Sequence, residues 1–410
     1  MSYTIDIRST IIIGIILLCM IQAGEAHAPR FTEFFDNSAT LFLEVSEKTC
    51  NATRIAFENA YNSHAGHTAW IDLGISTDKP IFDLCRAQVS CILNHVSEAT
   101  KASLGTANIV LGLLPTLLAV LAPSISELAL LSAQRPLLAL VLSVGAPGLL
   151  QTKIFAYEDP TELLDPPEVG KTSVRAQMVL GPWSGKFAAV VGVSQWVLAI
   201  ACAANTVILA VQISHRSVLS WGCTRTWPVL VWVFVPFVIH GISAMGYRMT
   251  LEKRQLARHL PSSEPVTQHA YSSSIELTSG YSKQPKATTL PHNSRDQPKV
   301  KQQGVFTSWL RREVTSCAHR TQTLEIRMPQ KGVTTRARIG VFITCVSGFL
   351  SFFFLLYGTV TLSSLLFIDT LDAIGQIAMR FLGSAIICRF IVLLEMGGMR
   401  GAMWAASEKQ

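Results

Sequence analysis

Apolar residues in this sequence come in long unbroken runs. They show neither the alternation of a half-buried strand nor the every-third-or-fourth spacing of a surface helix. Six runs follow the first hundred positions: 102–126, 136–150, 187–213, 227–247, 339–368 and 373–397. About 20 apolar residues in helical rise cross the hydrocarbon core of a bilayer. Backbone groups in lipid must be satisfied within their own segment, which selects helices. A β-barrel needs alternating segments of about ten residues, and these runs do not alternate. The pattern predicts an all-α, polytopic transmembrane helix bundle of five or six spans.

The runs are not equivalent. The first carries Pro115 and is free of charge between Lys101 and Glu127. The second has 17 uncharged residues between Arg135 and Lys153 and contains Gly145, Pro147 and Gly148. It either spans obliquely, drawing on 128–133, or is re-entrant. The third is a strong span in which Ala188, Gly192, Ala199 and Ala203 fall near one stripe, where small residues admit a neighbouring helix. Trp227 and Tyr247 bound the fourth, as interfacial belts do. The fifth, 30 residues long, exceeds a perpendicular span, so it tilts, breaks near Gly358 or extends into the interface. The sixth contains Arg380, Arg389 and Glu395.

Ahead of these runs, Arg8, the apolar core 11–21 and the small-x-small pattern Gly24-Glu25-Ala26 read as a secretory signal peptide over 1–26. The core is too short to span, so cleavage is favoured over an anchor helix. Residues 27–100 are polar enough for a small extracytosolic domain. Asn51-Ala52-Thr53 is a glycosylation sequon, which gains weight behind a signal. Cys50, Cys85 and Cys91 lie here, and an oxidising lumen predicts one disulfide and one thiol left over. Residues 80–97 read as one helix, on which Cys85 and Cys91 are separated by a rise of about 9 Å, too far to bond. Cys50 should therefore pair with one of them, and the sequence leaves both choices open.

Composition agrees with the run pattern. Of 410 residues, 49% are hydrophobic and only 15% charged, against about 25% charged in ordinary soluble domains. Mean hydropathy is +0.36. So few charges cannot cover a water-facing surface, which excludes a purely soluble globular protein. The net charge of +7 is concentrated: 248–338 holds 16 Lys+Arg and 6 Asp+Glu, a net of +10, and the remainder is net −3. The basic residues are dispersed among Ser, Thr, Gln and Pro with little aromatic interleaving, which speaks against nucleic acid as a partner. The long loop 248–337 reads as solvated and disordered, most clearly over 261–304. Within it, 305–318 suits a short amphipathic helix, either resting on lipid through Trp309 and Leu310 or packed on the bundle. The spans then occupy 101–247, with about four segments, and 338–398, with about two, leaving a tail at 399–410.

Sidedness is contradictory at this level. Four segments before the basic loop put it on the same side as the amino-terminal domain. Arg248, Lys253, Arg254, Arg258, Lys331, Arg336 and Arg338 flank the adjacent spans and argue for the cytosol. A re-entrant second segment reconciles the two signals.

Signatures of catalysis are weak. Gly170-Lys171-Thr172 and 181–186 each lack the spacing of a phosphate-binding loop, and no HExxH, GxSxG or CxxC occurs. His64 and His67 lack further metal ligands. No cofactor and no metal are expected. The residues that stand out are ionisable groups inside apolar runs, because burying them is costly: His240, Arg389 and Glu395. Arg389 and Glu395 are six apart and do not face each other on a helix; a partner for Arg389 such as Glu127 would have to come from another segment. A polar path through the bundle and a purely structural ion pair both fit.

The run 107–148 (ANIVLGLLPTLLAVLAPSISELALLSAQRPLLALVLSVGAPG) and the later GTVTLSSLLFIDTLDA at 358–373, followed by Arg380, Arg389 and Glu395, resemble stretches of uncharacterised multi-pass membrane proteins of filamentous fungi. The resemblance covers about a quarter of the chain. It implies a polytopic protein with the 127–135 connector and the Arg389 helix as shared features, and it carries no activity. The sequence thus reads as a multi-pass integral membrane protein reached through the secretory pathway, with the lipid bilayer and unidentified proteins as partners. A non-enzymatic role in sensing, scaffolding or interaction leads, and a solute or ion transporter or channel is the alternative.

Overall fold

The computed structural model describes residues 31–64, 79–148, 185–250, 313–317 and 335–407. The signal segment, the core of the basic loop, Trp309, Leu310, the metal-ligand candidate His67 and the phosphate-loop-like 170–172 lie outside these residues. Among the described residues the chain is almost wholly helical. Helices α1 (Ala39–Glu44, continued by a π-turn to Thr49), α2 (Asn51–His64) and α3 (Lys79–His95) form a small domain. Then come α4 (Glu98–Leu121), α5 (Ile125–Gln134), α6 (Pro136–Gly145), α7 (Gly185–Arg216), α8 (Trp227–Thr250), α9 (Thr335–Ser363) and α10 (Met379–Ser407, entered through a π-helix at Asp372–Ala378). Two-residue strands β1 (Val218–Leu219) and β2 (Leu365–Leu366) pair antiparallel, Val218 opposite Leu366.

Among the described residues, five helices are long and apolar enough to cross a membrane: α4, α7, α8, α9 and α10. Helices α5 and α6 have ten residues each, a rise of about 15 Å, half of a bilayer core. Among the described residues, α5 and α6 thus form a hairpin of half-length helices, and five helices have the length of a span. The fifth run neither breaks at Gly358 nor spans over its whole length. Helix α9 continues to Ser363, and the surplus residues form β2 and the turn beyond it. Gly358 instead gives room to the Trp232 indole, which leaves no space for a Cβ there. Tyr247 is buried inside the bundle, not displayed at an interface. The expected tail at 399–410 is helical as far as Ser407.

Prolines set the breaks. Ala122-Pro123 ends α4, and Ser124 caps α5. Arg135 precedes Pro136 and sits at φ −134°, ψ 74°, outside the helical region, as a residue before proline prefers. Ala146, before Pro147, stands at φ −130°, ψ 83° and ends α6. Association in lipid depends on close packing, because the lipid tails are as apolar as the helices. At the α8–α9 crossing, glycines face each other: a Cβ on Gly246 would lie 2.8 Å from Thr344 Oγ1 and 3.0 Å from the Gly340 carbonyl oxygen.

The small domain is fused to one end of the bundle. Its core of Phe31, Phe34, Phe42, Phe57, Ile81 and Ile92 is completed by Val218, Cys223 and Phe367 from the span connections. Phe367 takes a left-handed backbone, φ 66°, and its ring meets those of Phe31, Phe34 and Phe42 edge-on at 5.3–6.3 Å. A residue at positive φ that is neither Gly nor Asn is uncommon, and the aromatic pocket holds this one. The domain of 27–100 is thus not self-contained.

Two disulfides follow. Cys50 bonds Cys91. Cys85, the other candidate partner of Cys50, is not left over as a thiol but bonds Cys223 of the α7–α8 connection. That bond, the β1–β2 pair and the hydrogen bonds of Asn37 to Asp372 place the α7–α8 and α9–α10 connections at the small-domain end. The free ends of α8 and α9, Thr250 and Thr335, therefore face the opposite end. The described ends of the basic loop thus lie away from the small domain, an arrangement compatible with a loop on the opposite face of the membrane. A sequon introduced near Ser273 should stay unmodified while Asn51 carries glycan; a mobility shift on glycosidase treatment checks each site, and modification near Ser273 would reverse this orientation.

Candidate functional site

The α5–α6 hairpin organises the charged residues of the bundle. The Ser124-Ile125-Ser126-Glu127 sequence forms a capping box: Glu127 N–H donates to Ser124 Oγ (3.3 Å), and Ser124 N–H donates to Glu127 Oε2 (2.9 Å). The same carboxylate, 2% exposed, is the partner of the Arg389 guanidinium on α10. One side chain therefore starts a half-helix inside the bundle and neutralises a membrane-embedded cation. The capping signal is readable in the sequence, since S-x-x-E directly follows Pro123.

Glu395 pairs elsewhere, two turns along α10. Arg135, at the joint of the hairpin, donates from Nη1 to Glu395 Oε1 (2.9 Å) and to Gln195 Oε1 of α7 (2.6 Å). Arg135 and Glu395 side chains are both fully buried. Removing two charges from water is repaid only if their remaining hydrogen-bonding groups are also satisfied. Much of that satisfaction comes from the basic loop. Residues 313–317, from the segment read as a short helix either resting on lipid or packed on the bundle, pack against the hairpin, α7 and α10, with Glu313, Ser316 and Cys317 buried. Glu313 accepts Arg135 Nε–H (2.9 Å) and Trp196 Nε1–H (3.1 Å) at its carbonyl oxygen, and Leu137 N–H (3.3 Å) at Oε1. Ser316 Oγ and Cys317 N–H donate to Glu395 at 2.8 and 3.0 Å. Gly192, from the small-residue stripe of α7, stands where any Cβ would collide with the Val314 carbonyl oxygen.

A third set lies nearer the small domain. Arg380 donates to Asn205 Oδ1 and Gln212 Oε1 of α7, both at 2.9 Å, and Asn205 Nδ2 donates to Ser384 Oγ at 2.9 Å. Between the sets, the end of α6 abuts two thiols: a Cβ on Gly145 would lie 3.0 Å from Cys388 Sγ and 3.1 Å from Cys202 Cβ. His240 is not brought into this system. It sits on α8, 1% exposed, and neither ring nitrogen is hydrogen-bonded among the described residues. Asn51 is exposed at the start of α2, beside the Cys50–Cys91 bond.

The three sets descend along α10 from Arg380 through Arg389 to Glu395, each answered by α7 or the hairpin. Sequence reasoning found Arg389 and Glu395 but missed Arg135, Gln195, Glu313 and the Arg380 set. Arg135 looked like a flank of a short run, and its depth follows only from the half-length helices on either side. Comparison with known families, with curated proteins and with solved structures finds no match for this chain.

Proposed function

We propose that the chain moves a solute or an ion across a membrane, as a transporter or channel. The single observation that carries this reading is the broken α4–α5–α6 segment, whose joint at Ala122–Ser124 leads directly to Glu127, the partner of Arg389, and whose end at Ala146–Gly148 is buried. Gly148 packs on the backbone of Leu118 and Ala119, so the two breaks meet. Discontinuous helices meeting among buried ionisable groups are the usual construction of a transport site. A merely structural bundle gains nothing from ending helices inside lipid, because each end leaves backbone groups to be satisfied.

In this reading the protein follows the secretory route, with the disulfide-bearing domain in an oxidising compartment and the basic loop in the cytosol. The positive flanks Lys186, Arg248, Arg336 and Arg338 support that orientation. Reconstituted full-length protein should show saturable uptake for some member of a panel of small organic ions. Arg389→Ala should abolish that uptake while monodisperse protein is still recovered; no uptake across the panel, or uptake indifferent to Arg389, sinks the proposal. A sensing role is the second reading. It is supported by the rigid junction of Cys85–Cys223 and Phe367, which would pass a ligand-induced shift of the small domain directly to the spans.

A further inference from the structure

The place where Glu313 sits has the make-up of a binding site. Its donors come from three different residues: Arg135 Nε–H and the Trp196 indole N–H, both to the Glu313 carbonyl oxygen, and the Leu137 backbone N–H in the first turn of α6, to the Glu313 carboxylate. All converge on Glu313. Arg135 Nη2 and Gln195 Nε2 are buried with no hydrogen-bond partner among the described residues, in side chains 0% and 2% exposed. The seat therefore offers more donors than its present occupant uses. The first turn of a helix favours negative charge, and a planar guanidinium matches a carboxylate in shape. Glu395 stands on the other side of Arg135 and opposes a polyanion, so phosphate is the wrong guest.

We propose that the seat now filled by Glu313 is a binding site for a solute carboxylate, and that residues 313–317 are its tethered competitor. The proposal rests on the transport reading and deepens it by naming a substrate class and a control. While the segment is docked, Ser316 and Cys317 hold Glu395, and Glu313 holds Arg135 and the start of α6. A solute carboxylate takes over the Glu313 contacts, and the segment withdraws.

Cys317 reports this directly, because it is fully buried while the segment is docked. The full-length chain in lipid nanodiscs is treated with a water-soluble maleimide, and modification of Cys317 is followed by peptide mass spectrometry. Glu313→Gln combined with Ser316→Ala should speed modification about ten- to a hundredfold, the span expected for losing the Ser316 bond to the Glu395 carboxylate together with the Glu313 charge. Acetate and succinate should speed it in the native chain, whereas chloride or phosphate at matched ionic strength should not. Arg135→Gln should remove the response to acetate and succinate. If that variant does not fold, Trp196→Phe keeps the ring, loses the donor and should blunt the response. Equal Cys317 reactivity in the native chain and the double variant would overturn the docked segment. Carboxylates without effect would overturn the solute site. Carboxylate-dependent labelling in a protein that moves no solute would leave this site standing and defeat the transport reading alone.

Discussion

Glu395→Ala should destabilise the chain by about 3–5 kcal/mol, the cost of leaving a buried charge without its partner. The variant leaves the fully buried Arg135 facing only neutral groups and Glu313, and removes the acceptor of Ser316 Oγ and Cys317 N–H. Unfolding of detergent-solubilised protein, followed by the accessibility of buried cysteines, measures the loss. Arg135→Met in the same background should recover much of it, because it deletes the stranded charge and keeps comparable volume. The opposite result, a double variant as unstable as the sum of the two single changes, would mean that the two side chains act separately. The corresponding cut at Glu127 should be milder for the charge, since the Arg389 side chain is 21% exposed, but it also removes the α5 capping box, worth about 1 kcal/mol by itself.

Breaking the Cys85–Cys223 bond should cost more than breaking Cys50–Cys91. The bonds close sequence separations of 138 and 41 residues. The chain-entropy relation gives about 5 and 4 kcal/mol respectively. Both are upper limits, because inserted spans already confine the unfolded chain. The consequences also differ in kind. Cys50–Cys91 ties the small domain to itself, whereas Cys85–Cys223 ties it to the bundle. Cys85→Ser with Cys223→Ser should therefore expose the seam at Phe367 to protease while the spans stay inserted. Cys50→Ser with Cys91→Ser should loosen α2 against α3 and spare that seam. Limited proteolysis with mass mapping distinguishes them, and identical cleavage patterns would contradict the separate roles.

Membrane character and the helical class were legible because they are local sums. A run such as 187–213 is apolar whatever lies around it, and lipid imposes a helix on it without reference to any neighbour. The punctuation of the hairpin was also in the sequence, in Pro123, Pro136, Pro147 and the Ser124–Glu127 capping pair, because capping and proline effects act within four residues. What each charge meets was not. Arg389 finds Glu127, 262 residues away, and Arg135 finds Glu395 at a separation of 260. No periodicity encodes such meetings. They exist because close helix packing in lipid leaves a buried ion no solvent and forces it onto whichever opposite charge the packing delivers. The disulfide from Cys85 to Cys223, the seating of Phe367 in the small domain and the docking of 313–317 belong to the same class. Sequence alone determined which segments leave water; the three-dimensional arrangement decided which polar groups follow them in and what holds them there, since the energy of a buried charge depends on its neighbours in space and not on its neighbours in the chain.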